Sequence, residues 1–249
     1  MADFKDYFSS QSTAYSQYRP HYPDQFYQYL TKLCPEHDLA WDCATGNGQA
    51  ARGLSRYFKE VHATDASDQQ IAAATGPDNI HFKVADAANS GLKAQSVDLI
   101  TVAQALHWFD LDPFYHEAKT ILKKNGLLAV WCYGSISIDD QVDPLFLQFY
   151  NDVVGPFWPH ERLHIENGYA DLDFPFEQIK TPEFQIDARW SLDDFLGFLR
   201  TWSATVRYIN AKGHDPVSLW QEKFKMAWGN DQNKKIFWPL TLLIGHQDQ

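Results

Sequence analysis

Between residues 37 and 134 the chain alternates short apolar runs with helix-punctuated segments five times over, and this rhythm restricts the fold more than any other feature. The runs are Leu39-Ala40-Trp41, Val61-His62-Ala63-Thr64, Ile80 to Val84, Val97 to Ala103 and Leu127 to Cys132. Ser67, with Gln70 three positions on, predicts a capping box ahead of Ile71 to Ala74, and Gly76-Pro77 stops that helix. Asp112-Pro113 opens another, with Phe114, Ala118, Ile121 and Leu122 on one face; Lys123 and Lys124 suit its negative end and Asn125-Gly126 closes it. Five βα steps in succession predict a doubly wound, mainly parallel α/β sheet.

No repeat, low-complexity tract or Ser/Gly linker divides the chain, so residues 1–249 read as one domain in four parts. Residues 1–36 form an N-terminal cap that ends in a helix, where Phe26, Leu30 and Leu33 follow Pro23 at helical spacing. Residues 37–134 are the core and 135–230 an insertion. Within the insertion Ser191 with Asp194 starts a helix bearing Phe195, Phe198, Leu199 and Trp202, and Asp215-Pro216 starts one bearing Trp220, Phe224 and Trp228. Residues 231–249 hold a final strand, Ile236 to Ile244, in which Pro239 belongs at an edge or a bulge.

Composition narrows the partners. With 21 basic against 32 acidic side chains the formal charge is −11, and no run of Lys or Arg stands out, which argues against nucleic acid and anionic lipid. No 18 apolar residues run together and no basic patch precedes an apolar stretch at the start, so neither a membrane span nor export is expected. Cys34, Cys43 and Cys132 stand at unrelated spacings and read as reduced thiols of a cytoplasmic protein. His160-Glu161-Arg162-Leu163-His164 spells the H-E-x-x-H zinc signature, but no clear helix surrounds it. It reads as a polar segment of the insertion, and no metal is expected.

The chemistry concentrates in Asp42-Cys43-Ala44-Thr45-Gly46-Asn47-Gly48, directly after the first strand and before a helix beginning near Gln49. Its glycines let backbone approach a ligand at the carboxyl edge of a central strand, beside the topological switch point. Asp65 closes the second strand about where an acid accepts both hydroxyls of a ribose, and Asp86 closes the third. Three acids at successive strand ends, facing one crevice, are more specific than a glycine pair. Gly46-x-Gly48-x-x-Ala51 with Asp65 also fits a dinucleotide fingerprint, so an NAD-dependent oxidoreductase of the Rossmann type is an alternative. Asp42 and Asp86 tilt against it, because a pyrophosphate needs the helix terminus free of negative charge.

The order D-x-x-x-G-x-G from Asp42, then Asp65, Val84-Ala85-Asp86-Ala87, Ser96 to Ile100 and Leu122 to Gly126 resembles class I S-adenosylmethionine-dependent methyltransferases over residues 37–134. That resemblance implies a seven-stranded Rossmann-like sheet with S-adenosylmethionine as cofactor. It implies that Asp42, Ala44, Thr45, Gly46 and Gly48 cradle the methionine and ribose, that Asp65 with Ala66 takes the ribose hydroxyls, and that Asp86 with Ala87 faces the adenine. Gln104, Leu106, His107 and Trp108 would border the sulfonium and the acceptor. Ala44 stands where the family usually has glycine, at little cost if its φ is negative. The flanks Phe8, Tyr15, Tyr18-Arg19-Pro20, Tyr22-Pro23, Leu199 to Ser203 and Trp238-Pro239 resemble the small-molecule branch that includes trans-aconitate and farnesoic-acid methyltransferases. By that likeness Tyr18 and Arg19 belong to the cap over the cofactor, and Tyr15, Trp108, Arg200 and Trp202 to the acceptor pocket. A small-molecule acceptor, with a carboxylic acid as one class, is implied. His107 is a general-base candidate or merely shapes the pocket, and Arg200 pairs a substrate carboxylate or an internal acid. A protein that binds the cofactor without turnover is a further alternative, and the oligomeric state is left open.

Overall fold

A computed structural model describes residues 20–247. Five strands, β1 (Leu39–Cys43), β2 (Glu60–Asp65), β3 (Ile80–Val84), β4 (Val97–Ala103) and β5 (Leu122–Tyr133), pair in parallel in the order β3-β2-β1-β4-β5. The order reverses between β1 and β4, which creates the switch point that the alternating pattern predicts. β8 (Lys234–His246) adds antiparallel to β5. Its far edge is shared: β6 (Glu177–Gln178) pairs residues 245–246 and β7 (Phe184–Trp190) pairs residues 234–240. The path across the sheet thus has the expected seven positions, with β7 as an eighth strand beside β6.

Period-two alternation sends each strand's side chains to two opposite cores. In β5, Leu127, Ala129, Trp131 and Tyr133 enter one core, while Leu128, Val130 and Cys132 enter the other. The first core is covered by α1 (Asp24–Leu33), α2 (Gln49–Leu54), α7 (Leu192–Arg200) and α9 (Pro216–Trp228), which contribute Phe26, Leu54, Phe195 and Phe224. α4 (Leu111–Ile121) covers the second through Phe114, Ala118 and Ile121. α3 (Asp68–Ala73) flanks the β2–β3 edge, and α8 (Ser203–Lys212) joins α7 to α9. The Gln49 side-chain amide donates to the Pro20 carbonyl and ties the segment ahead of α1 to the start of α2.

Capping follows the expected chemistry with one difference. Ser191 and Asp194 form the full reciprocal box, and the Asp215 carboxylate accepts from the Val217 amide at the start of α9. Ser67 accepts from the Gln70 amide, but its own N–H donates to Asp65 Oδ1 at 2.9 Å. The second half of that box is therefore built by a strand-end acid.

Two boundaries differ from expectation. α4 ends at Ile121, so Lys123, Lys124 and Asn125 belong to an irregularity at the start of β5, where Asn125 takes φ +62°. Lys123 serves ion pairing there, with Nζ 2.8 Å from the buried Asp98 and 2.8 Å from Glu36. Pro239 lies inside β8 and not at a sheet edge. Phe237 exchanges both backbone bonds with Ser137, so by alternation Pro239 turns its nitrogen to that same side, between the Ser137 bridge and the Tyr133–Leu240 pair. No ladder bond is lost. The segment without clear period, 135–175, contains α5 (Asp143–Gln148), single turns over Phe149–Val153 and Gly155–Phe157, and α6 (Arg162–Glu166).

Candidate active site

The turn after β1 is organised from behind by Asp42. This carboxylate is fully buried and accepts from Thr45 Oγ1 (2.5 Å), Thr101 Oγ1 (2.7 Å) and the Ala51 amide (3.0 Å). It closes the turn on itself and satisfies one of the donors that the first turn of α2 leaves without an intrahelical partner. Burial pushes its pKa up to about 6, against the pull of the Thr45, Thr101 and Ala51 donors, and the nearby Asp65 charge pushes the same way. The expectation that Asp42 faces the crevice is therefore corrected: it lies beneath the turn. Thr45 is likewise buried, its hydroxyl turned back onto Asp42.

Asp65 does open beside the turn. It is half-buried, with Oδ2 accepting from the Gly46 amide at 2.8 Å and Oδ1 from the Ser67 amide at 2.9 Å, two bonds that fix its orientation. The Thr45 amide donates to the Thr64 carbonyl and the Gly48 amide to the Thr45 carbonyl. With the amides of Thr45, Gly46 and Gly48 spent inside the protein, the turn offers shape and a held carboxylate, and not a nest of donors for a phosphate. Gly48 is required twice over: its φ is +86°, and a Cβ there would stand 2.7 Å from the Phe82 ring. Ala44 adopts φ +55°, so the condition under which alanine costs little there is not met, and its methyl sits in the left-handed region that glycine enters freely. Asp86 is exposed just past β3, with Oδ1 accepting from the Ala88 amide at 2.8 Å; Ala87 is half-buried and Ala66 exposed. The charges of Asp42, Asp65 and Asp86 all act, behind burial, to raise the Cys43 thiol pKa, so their fields converge on the end of β1. Such a field suits a cationic ligand.

At the end of β4, Gln104 takes φ +59° and spends its side chain on the Tyr133 backbone. Nε2 donates to the Tyr133 carbonyl at 2.9 Å and Oε1 accepts from the Tyr133 amide at 2.8 Å. The amide group extends the β4–β5 ladder, which fixes the half-buried side chain at the strand end. Beyond it, the turn Leu106–Trp108 carries His107, whose Nδ1 lies 3.0 Å from Tyr169 Oη and whose ring leans on Trp108 at 4.6 Å. Burial, reinforced by the Arg162 and His164 charges, lowers the His107 pKa to about 3. An imidazole so disposed stays neutral at physiological pH and is a weak base. Ala44, Gln104 and Tyr169, all non-glycine residues with positive φ, gather around these strand ends, where strain and function commonly coincide.

The acceptor-side residues divide. Arg200 donates from Nε to Asp215 at 2.8 Å and from Nη2 to Ser218 at 3.2 Å, so it holds an internal acid at the start of α9. Trp202 is 6% exposed and packed among Phe146, Tyr150, Trp158 and Phe198, behind the pocket surface. Tyr15, Tyr18 and Arg19 lie outside the described residues. His160 precedes α6, and His164 pairs with Asp171 at 2.8 Å, so the two histidines do not share a helix face. Among the described residues no group of three His, Cys, Asp or Glu side chains is arranged to hold a metal ion. No sequence motif pointed to Tyr169 or Arg162, both of which come within influence of His107 only through the fold.

A parallel sheet reversing between β1 and β4, a helix start already carrying its own carboxylate, and a second acid fixed beside it define the class I methyltransferases, whose methyl donor is S-adenosylmethionine. The comparisons agree, and the chain belongs to this methyltransferase family. Residues 41–130 match the family model described as a methyltransferase domain. A Dictyostelium discoideum protein named as a methyltransferase is 32% identical over 253 residues, covering 98% of this chain and 96% of its own. A solved structure from Anaeromyxobacter dehalogenans, described as a type II methyltransferase, superposes with a TM-score of 0.86 at 36% identity, over 92% of this chain and 97% of that one. A Saccharomyces cerevisiae protein named as an S-adenosylmethionine-dependent methyltransferase is 28% identical over 148 residues, 56% of this chain and 48% of its own. The dinucleotide alternative falls: Asp42 places a negative charge at the α2 terminus where a pyrophosphate would need to lie.

Proposed function

We propose that this methyltransferase acts on a small organic molecule, with a carboxylic acid as the acceptor class, as in the branch its flanking motifs resemble. The site's chemistry fits the cofactor: the Asp65 carboxylate, held at the end of β2 by the Gly46 and Ser67 amides, is the kind of group that accepts a ribose diol, and the exposed Asp86 with Ala87 lies one strand further for the adenine. The bound cofactor supplies an electrophilic methyl group. The chain's own residues supply alignment. Asp65 fixes the ribose, Gly46 and Gly48 let the backbone pass close, and Trp108 with His107 bounds the side from which the acceptor approaches. Holding the reacting atoms roughly 3–3.5 Å apart contributes ~7–11 kcal/mol to such a displacement.

One observation carries the choice of acceptor class. His107, the titratable side chain on the turn after β4, has a pKa of about 3 and makes a poor proton acceptor at neutral pH. A carboxylate is already deprotonated there and needs no base, whereas an alcohol or an ammonium group does. We assign cofactor binding to residues 37–134 and acceptor selection to 135–230. A cytoplasmic setting is supported by three buried free thiols, and no described helix is long and apolar enough to cross a membrane. The test is a calorimetric titration with S-adenosylmethionine, S-adenosylhomocysteine and NAD, then a panel of small carboxylic acids scored for methyl esters by mass spectrometry. Binding of the first two and ester formation are expected. Methylation confined to alcohols or amines would overturn the acceptor class.

A further inference from the structure

Arg200 is spent on Asp215, but a second arginine near the strand ends is not. Arg162 on α6 is held in a single pose. Its Nε donates to Tyr150 Oη at 2.9 Å, and Tyr150 in turn donates its hydroxyl to Glu166 Oε1 at 2.6 Å. The guanidinium carbon lies 4.7 Å from the Trp158 ring centroid and 5.6 Å from that of Tyr150. The side chain is 14% exposed, and its two Nη atoms have no hydrogen-bond partner among the described residues. Glu166 approaches Nε only to 4.0 Å, beyond hydrogen-bond reach.

Around this guanidinium, Tyr150, Asn151, Trp158, Pro159 and Glu166 line a hollow of about 340 Å³, room for a small organic molecule. Its place in the fold matters. α6 packs on the Leu106–Trp108 turn, and Ile165 approaches Gly134 at the end of β5. The Arg162 charge is close enough to depress the His107 pKa. The hollow therefore lies at the carboxyl ends of β4 and β5, on the acceptor side of the cofactor turn. The other charged groups around it are accounted for: His164 pairs with Asp171, Glu166 accepts from Tyr150, and His160 is exposed at the rim.

A guanidinium fixed through Nε and stacked on a ring face, with its Nη donors unclaimed among the described residues, is a preformed two-point receptor for a planar carboxylate. We propose that Arg162 selects the acceptor by taking a substrate carboxylate on its Nη atoms, with the apolar body of the molecule lying against Trp158 and Pro159. This rests on the methyl-transfer reading above and adds to it. A carboxylate clamped by arginine loses basicity and nucleophilicity, so the methyl goes to a second carboxylate of the same molecule, which needs no base either, and the acceptor carries at least two acidic ends.

The test titrates protein loaded with S-adenosylhomocysteine against phenylacetate, its neutral isostere phenylacetamide, and inorganic phosphate. The wild-type protein should prefer the acid to the amide. Arg162→Gln should weaken phenylacetate 10- to 100-fold while leaving the amide and S-adenosylhomocysteine within about twofold. Arg162→Lys, which keeps the charge but loses the fork, should fall between them. Equal phenylacetate binding by wild type and Arg162→Gln overturns the proposal, as does a wild-type protein that does not discriminate acid from amide. Phosphate held as tightly as phenylacetate would make the hollow a general anion site and overturn carboxylate selection. Failure to bind S-adenosylhomocysteine strikes the methyl-transfer reading instead, and the same titrations on protein without it still decide the role of Arg162.

Discussion

The two sides of the crevice are held together by different forces. Around Asp42 and Asp65, five donors from Thr45, Thr101, Ala51, Gly46 and Ser67 converge on two carboxylates within hydrogen-bond distance. Around Trp202 the structure is ring against ring, with centroid separations of 5.4 to 5.8 Å to its neighbours Phe146, Tyr150, Trp158 and Phe198. There the indole N–H groups of Trp158 and Trp228 lie buried with no partner among the described residues. Directional bonds to buried charge fix one geometry and lose heavily when a single atom is removed. Ring packing depends on volume and tolerates volume-conserving exchange. The cofactor side is thus built to be invariant, and the acceptor side to be remodelled.

The largest expected effect falls on Asp42. Asp42→Ala strands two hydroxyls and one amide in a sealed site, and a loss of about 3–5 kcal/mol in urea unfolding is expected. A loss below about 1 kcal/mol would erase the contrast between the two sides. The same residue has a pH signature. Its folded-state pKa of about 6 lies above the ordinary carboxylate value, so its contribution is most favourable below about pH 4 and declines as pH rises through 6. The stability difference between wild type and Asp42→Asn should therefore shrink as pH rises across that interval.

Asp65→Ala comes next, with cofactor affinity weakened by about 1–3 kcal/mol in calorimetry. Undiminished binding would remove Asp65 from the ribose. On the acceptor side, Arg200→Ala should cost no more than about 1 kcal/mol of stability, since its pair with Asp215 is partly exposed, and should leave acceptor KM unchanged. A raised KM would return Arg200 to the substrate. Ala44→Gly should stabilise by roughly 0.5–1 kcal/mol, the left-handed strain relieved less the added chain entropy. The smallest effect is a null one: because His107 stays neutral, its imidazole resonances should not titrate between pH 5 and 8 by NMR. His107→Ala should leave the shape of the pH–rate profile unchanged over that range.

What the sequence disclosed follows the same division. The strands, the Ser191 and Asp215 caps and the acid at the end of β2 are local patterns, each readable within a few residues. The direction of Asp42 was legible in principle: period two puts it on the face of Ala40, and a sheet covered on both sides leaves that face no solvent. The positive φ of Ala44 was hidden because alanine carries no signal for the left-handed region. The low pKa of His107 depends on burial and on the Arg162 and His164 charges, more than 50 residues away. Arg162 itself gains meaning only from Tyr150 and Trp158, and the H-E-x-x-H spelling around it drew attention to the wrong side chains.

The join between β7 and β8 carries one more consequence. The chain leaves the sheet after Trp190 and returns at Lys234, and these two residues are direct partners across the ladder. Everything between them, including the Trp202 that backs the hollow, is a loop-out whose two feet stand one strand spacing apart. Such an excursion can change length at its exposed outer turns without shifting the register of any strand, provided Phe195 and Phe224 go on covering the sheet.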